Sequence, residues 1–231
     1  GQLYKKQNMF DQAETAFKEA IAKMADEPKA EYYYDLGAVQ TAQGDVADVS
    51  SAEREARFRA AIGSFEEALK LDPQQHKAHY RLGTLYEKLD MPTQADAAYR
   101  KTMAVNPSYS PAFVSLGNMY VDNGDTTAAM AVLQEGIKLN KDDPRMWNGL
   151  GRAYFELRRM QESIDAYAKA KALDPEALDA LYGLGMAHAE LRQIKEASEN
   201  LSLFIAKAGA DTRPDLIQAA QDTLKRMASQ I

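Results

Sequence analysis

A repeat at a fixed interval of 34 residues constrains this chain more than any other feature of its sequence. A tyrosine follows three residues after each of the first three repeated glycines, and His188 takes that place after the fourth. A small residue stands twelve positions after each glycine, and a large residue stands four positions further on. Self-similarity of this period indicates a solenoid of helix pairs rather than a domain with one central core. The repeated pairs are Leu82-Gly83, Leu116-Gly117, Leu150-Gly151 and Leu184-Gly185.

The segment 144–175 carries the repeated pattern most fully, with Trp147, Leu150, Gly151, Tyr154, Tyr167, Ala170 and Pro175 in register. These residues, and their return in phase along nearly the whole chain, resemble the tetratricopeptide repeat (TPR) family. That resemblance implies an all-α fold: a right-handed superhelical solenoid of antiparallel helix pairs, each made of a helix A and a helix B. A C-terminal capping helix is expected to cover the last apolar face.

The period divides the chain into seven segments. Residues 1–29 match only the end of a helix A and a following helix B, so we expect a truncated first repeat there. The second repeat, 30–75, is longer because Gly37 and Gly83 are 46 residues apart, which predicts a 12-residue insertion. Regular repeats are expected at 76–109, 110–143, 144–177 and 178–211, and the amphipathic capping helix at 212–231.

The insertion falls between the two helices of the second repeat, in a polar stretch at 45–59. Asp48, Ser50 and Ser51 are candidate N-caps there, because their side-chain oxygens can accept from free backbone N–H groups. We therefore expect a short loop followed by an unusually long helix from about Ser51 to Leu71. Two roles stay open for the insertion: an additional contact surface for a partner, or a neutral extension.

The repeated glycines are interpreted as packing residues rather than functional ones. A glycine inside a helix costs about 1 kcal/mol relative to alanine, so its recurrence needs a gain that offsets this cost. Close approach of the neighbouring helix B supplies such a gain, since any side chain at the glycine would force the helices apart.

Composition and motifs exclude several classes of function. The net charge of -6 and the absence of a Lys/Arg stripe argue against nucleic-acid binding. The chain has no cysteine, which excludes disulfides, thiolate catalysis and cysteine-ligated zinc, and leaves both cytoplasm and periplasm open. No apolar run approaches the length of a membrane span, and the sequence contains no phosphate loop, nucleophile elbow or zincin motif. We therefore predict that the protein is not an enzyme.

We also predict no cofactor and no metal. His76 and His79 lie one helical turn apart and could ligate a metal together with Glu87 or Asp72. Two surface histidines at the start of a helix are the favoured interpretation.

The family resemblance implies a concave groove lined by the A helices, and it transfers groove positions to this sequence residue by residue. Asn118 and Asn148 could hydrogen-bond an extended main chain, and Arg152 could hold a carboxylate in a bidentate pair. No three successive repeats carry the lysine, asparagine and arginine set of the chaperone-binding carboxylate clamp. The predicted partner-binding groove comprises Tyr34, Lys77, Tyr80, Thr84, Val114, Asn118, Asn148, Arg152, Tyr182 and Met186.

The leading hypothesis is a non-catalytic protein-interaction scaffold that binds a peptide or a partner segment in this groove. One alternative is a structural module that forms homo-oligomers through its open N-terminal repeat. Exposed Leu3, Tyr4, Met9 and Phe10 motivate that alternative, because exposed apolar patches mark interfaces. Another is an accessory domain of a larger enzyme or secretion component.

Overall fold

A computed structural model describes residues 1–7, 9–24 and 26–229, and within these ranges the chain is entirely helical, without strands. The predicted all-α class is confirmed; residues 230 and 231 of the expected cap lie outside the described ranges. The chain forms two compact units, Gly1–Ala112 and Phe113–Ile231. The first contains α1 (Gln2–Lys6), α2 (Phe10–Lys23), α3 (Ala30–Gly44), α4 (Ser51–Leu71), α5 (His76–Lys88) and α6 (Pro92–Val105). Helix α7 (Ser110–Asp122) begins in the first unit and ends in the second, which contains α8 (Thr126–Leu139), α9 (Pro144–Glu156), α10 (Met160–Leu173), α11 (Leu178–Glu190), α12 (Ile194–Lys207) and α13 (Pro214–Ala228).

Helices that follow one another along the chain pack together within each unit. In the first unit α1 packs on α2, α3 on α4 and α5 on α6, and further contacts join α2 to α3 and α4 to α5. In the second unit α9 packs on α10 and α11 on α12, while α13 contacts both α11 and α12. Short turns make these neighbours antiparallel. Within each unit, successive pairs therefore pack against one another, as in a solenoid.

A left-handed backbone turn recurs at the repeat interval between helix A and helix B. Asp90, Gly124, Arg158 and Arg192 have φ of 55°, 80°, 59° and 57°. Gly124 adopts this conformation without the steric cost that a side chain incurs. The second repeat differs, because α3 continues to Gly44 and the next residue, Asp45, has φ of -82°. The insertion thus begins where the left-handed turn would otherwise stand.

The predicted long helix of the second repeat is confirmed as α4, Ser51–Leu71. Its N-cap is Ser50, whose hydroxyl oxygen accepts from the backbone N–H of Glu53 at 3.2 Å. Arg54 Nε donates to the carbonyl oxygen of Gly44 at 3.1 Å, and the ring of Phe58 lies directly against Gly44. The additional turns of α4 therefore pack on the end of α3.

A polar network, which sequence analysis did not predict, joins α2, α3 and α4. Gln43 Nε2 donates to Glu14 Oε2 at 3.0 Å, and Arg57 Nη1 donates to the same oxygen at 3.2 Å. Gln40 Nε2 donates to Glu14 Oε1 at 3.3 Å, and the Ser64 hydroxyl donates to Gln40 Oε1 at 2.7 Å. Both glutamines and Ser64 are buried. Burial is tolerated here because the polar atoms supply one another with partners.

The predicted packing role of the repeated glycines is confirmed. A Cβ atom built at each glycine would lie within 3 Å of a large helix B side chain, closer than real Cβ contacts. The glycine and side-chain pairs are Gly83 with Tyr99, Gly117 with Leu133, Gly151 with Tyr167 and Gly185 with Leu201.

Alanine at Gly83 should destabilise the first unit. The new Cβ would lie 2.5 Å from Cε1 of Tyr99, whose side chain is completely buried and has no room to move. We expect a loss of about 1–3 kcal/mol in the free energy of unfolding, as for other overpacked cores. Gly63→Ala is the matched control, because an added Cβ there meets nothing within 4 Å. It should raise stability by about 0.5–1 kcal/mol. Denaturant unfolding measures the free energy of unfolding of both variants. Equal changes in the two variants would contradict the packing role of Gly83.

Replacing Glu14 with Gln should remove a pH-dependent part of the stability. Burial alone disfavours the charged Glu14, but hydrogen bonds from Lys18, Gln43 and Gln40 and the charge of Lys18 lower the pKa below its ordinary 4.5. The ionised network therefore stabilises the fold above pH 4.5 and loses this contribution as pH falls through the lowered pKa. We expect Glu14→Gln to lower the free energy of unfolding by about 1–2 kcal/mol at neutral pH. The deficit should become smaller at acidic pH.

Urea unfolding at neutral and acidic pH measures this deficit. Glu19→Gln, which alters an exposed glutamate of the same helix, serves as the control. A deficit that stayed constant with pH would contradict a role for the Glu14 charge.

Candidate functional site

A pocket of about 480 Å³ lies in the second unit, between α7, α9, α11 and α13. It brings together half of the predicted groove residues: Asn118, Asn148, Arg152, Tyr182 and Met186. The remaining lining residues are Asp122, Phe155, Glu156, Tyr167, Asp179, Gly183, Arg213 and Leu216.

Tyr167 of α10 contributes a fixed aromatic surface to this pocket. Its ring lies between Gly151 of α9 and Gly183 of α11, where added Cβ atoms would approach it to 2.8 Å and 2.3 Å. The side chain is buried, and this burial raises the pKa of the Tyr167 phenol far above its ordinary value.

Two asparagines on the A helices supply the amide groups of the pocket. The Asn118 Oδ1 atom lies 3.4 Å from the position that a Cβ at Gly149 would occupy, so Asn118 of α7 reaches the backbone of α9 beside Asn148. The Asn148 Oδ1 atom is shielded from solvent and has no hydrogen-bond partner among the described residues. An unsatisfied buried acceptor costs about 1–3 kcal/mol.

The arginines of the pocket are already paired with carboxylates. Arg152 Nη2 donates to Asp122 Oδ1. Arg213 donates to Asp215 through Nη2 at 2.5 Å and through Nε at 3.2 Å. Arg152 thus lines the pocket with its Nη2 group already hydrogen-bonded to Asp122.

The other five predicted groove residues do not line this pocket. Val114 lies half-buried on α7. In the first unit, Lys77 is exposed, the Thr84 hydroxyl donates to the Arg81 carbonyl oxygen at 2.8 Å, and the Tyr34 ring packs edge-on against Phe65 with 5.4 Å between centroids. Tyr80 packs against Tyr99 and Tyr109, with ring centroids 5.7 Å and 5.3 Å away.

The contribution of α13 to the pocket was not predicted from the sequence. Arg213, just before this helix, and Leu216, in its first turn, both line the pocket. Leu216 also packs into the apolar cluster that contains Tyr182 and Met186. The available signal was the apolar face of the predicted cap, to which Leu216 belongs. That segment lies outside the 34-residue register, so its position relative to the groove could not be transferred from the repeats.

The two histidines of α5 are engaged in local contacts. His79 Nε2 is 3.0 Å from the Pro73 carbonyl oxygen, and the His76 ring packs edge-on against Tyr109 at 5.0 Å. Over residues 1–7, 9–24 and 26–229, no group of three or more His, Asp or Glu side chains is arranged to hold a metal ion. Within the same ranges, no helix has the length and apolar character needed to cross a membrane.

Helix pairs held by glycine-mediated packing define a helical-repeat protein. The sequence model of the family described as tetratricopeptide repeat matches residues 1–48, 49–104 and 114–177. These segments make up most of the chain, so the chain belongs to the tetratricopeptide repeat family. No curated protein sequence matches the chain significantly.

Solved structures of other TPR proteins share this fold. TTC0263, a thermophilic TPR protein of Thermus thermophilus, is 22% identical with a TM-score of 0.62, covering 84% of this chain and 98% of that one. YrrB, described as a TPR protein with an unusual peptide-binding site, is 21% identical with a TM-score of 0.60. The match covers 90% of this chain and 98% of that one. Pseudomonas aeruginosa pilF is 17% identical with a TM-score of 0.67, over 87% and 89%. At these identities the similarity concerns the fold.

Proposed function

We propose that the protein is a non-catalytic scaffold whose second unit binds an extended peptide segment of a partner protein in the pocket between α7, α9, α11 and α13. The observation that carries this proposal is the convergence of Asn118, Asn148, Arg152, Tyr182 and Met186 on that one pocket. The solved structure of YrrB, which has a similar fold and is described as having an unusual peptide-binding site, adds support.

The two amides suit an extended main chain. Each residue of a peptide presents one N–H donor and one C=O acceptor, and an asparagine side chain offers the complement of both. Asn118 and Asn148 occupy groove positions on α7 and α9, so they can pair with separate peptide groups along one strand. Phe155, Tyr182 and Met186 add apolar area that a ligand side chain can cover.

The chemistry of the lining favours binding over catalysis. The two arginines contact the carboxylates of Asp122 and Asp215. Such groups fix orientation and specificity in a binding site.

Removing both amides should weaken peptide binding. A library of random linear peptides displayed on phage is selected on the immobilised full chain, and binding of the enriched peptides is measured by fluorescence anisotropy. We expect Asn118→Ala/Asn148→Ala to weaken binding by about 5- to 100-fold, since each lost hydrogen bond contributes about 0.5–1.5 kcal/mol.

Asn123→Ala removes an exposed amide outside the pocket and should bind like the unmodified chain. Enriched peptides that bind the double variant with unchanged affinity would contradict the proposed site.

A second candidate function is self-association through the first repeat. Leu3 is 65% exposed, Tyr4 39% and Met9 38%, so α1 and the residue before α2 present apolar area to solvent. If a second copy covers this area, light scattering should show a mass that rises with concentration, and Leu3→Ser should reduce that rise. Leu139→Ser, at an exposed leucine of the second unit, is the control. A concentration-independent monomer mass would contradict this function.

A further inference from the structure

Some charged side chains around the pocket form ion pairs and others do not. This difference indicates the chemistry of the ligand. A neighbouring cavity of about 410 Å³ shares Asn148 and Asp179 with the pocket and also includes Arg145. The arginines that line the two cavities all contact carboxylates: Arg152 with Asp122, Arg213 with Asp215, and Arg145 with Asp143.

Glu156 and Asp179 differ from the other carboxylates of this region. Neither forms an ion pair within the described part of the chain, and both are exposed. The hydrogen bond and charge of Asp215, with which Arg213 forms an ion pair, raise the pKa of Arg213 most, and the charge of Asp179 also raises it, but by less. Burial raises the pKa of the Tyr167 phenol most, Arg152 lowers it, and Asp179 and Glu156 each raise it by less than Arg152 lowers it. Glu156 at the end of α9 and Asp179 at the start of α11 therefore place unpaired negative charge beside the same aromatic ring.

The Asn148 side chain lines both cavities beside these carboxylates. Its Oδ1 atom is shielded from solvent, so this atom is not offered to an occupant. Among the described residues, the acceptors that the pocket presents without an ion-pair partner are therefore the two carboxylates. A ligand that complements them must bring N–H donors and positive charge.

Apolar surface lies next to these acceptors. Phe155, Tyr182 and Met186 line the same pocket. A long basic side chain can cover such a surface with its methylene groups while its charged end reaches a carboxylate, and aromatic faces attract the cation as well.

We propose that the peptide ligand carries a lysine or arginine whose cation binds between Glu156 and Asp179. This inference rests on the proposed peptide-binding function and specifies its ligand. An acidic ligand is disfavoured because the arginines that would receive it already contact carboxylates of the protein.

The test repeats the phage selection on three forms of the full chain: the unmodified protein, Glu156→Lys/Asp179→Lys, and Glu135→Lys/Glu199→Lys. The last variant changes the net charge equally at exposed glutamates outside both cavities. We expect the unmodified chain and this control to enrich peptides with Lys or Arg at a fixed position, and the pocket variant to lose them.

Anisotropy with one enriched peptide then measures the effect directly. Binding should weaken by about 10- to 100-fold when its basic residue is replaced by Gln, or when the protein carries the neutral changes Glu156→Gln/Asp179→Asn. The neutral variant separates the loss of attraction from any unfolding caused by charge reversal, and the unfolding transition of each variant is recorded alongside.

The outcomes distinguish this inference from the proposed function. Enriched peptides that lack a fixed basic residue, yet fail to bind Asn118→Ala/Asn148→Ala, would overturn the basic-ligand inference and leave peptide binding intact. Enrichment of acidic peptides would overturn it in favour of Arg152 and Arg213. If no enriched peptide depends on the pocket, both the inference and the proposed function fall.

Discussion

A large side chain of one helix packed directly against a glycine of its neighbour is the contact on which each helix pair depends. Gly83 and Tyr99 in the first unit, and Gly185 and Leu201 in the second, approach so closely that a methyl group has no room between them. The conformational cost of glycine within a helix is offset by this close packing. Because the same contact returns every 34 residues, each helix pair is held by equivalent interactions.

The same type of contact also shapes the pocket. Tyr167 makes this contact with glycine twice, since its ring lies against Gly151 of its own repeat and Gly183 of the next. The ring is immobilised by these glycines and still lines the pocket. Tyr167 therefore both packs neighbouring helices together and lines the pocket, whereas the sequence alone indicated only its packing role.

The second repeat shows how the regular helix pair accommodates additional residues. The helix that would end in a left-handed turn continues to Gly44 instead, and the lengthened α4 packs back on it through Phe58 and Arg54. The buried polar network around Glu14 then joins α4 to the first repeat. The lengthened helix is in this way part of the packed structure, with polar groups that supply one another with partners.

The sequence by itself determined the helix pairs, the glycine contacts and the long α4, because these depend on spacing along the chain and on local caps such as Ser50. The family resemblance, applied to the repeat register, added Asn118 and Asn148 as predicted groove positions. Only the tertiary structure decided which groove residues share a pocket, how the arginines are paired, and that Arg213 enters the site. The physical reason is that periodicity specifies neighbours within and between repeats, whereas the Arg152–Asp122 ion pair and the docking of α13 on α11 and α12 depend on contacts that the repeat pattern does not encode.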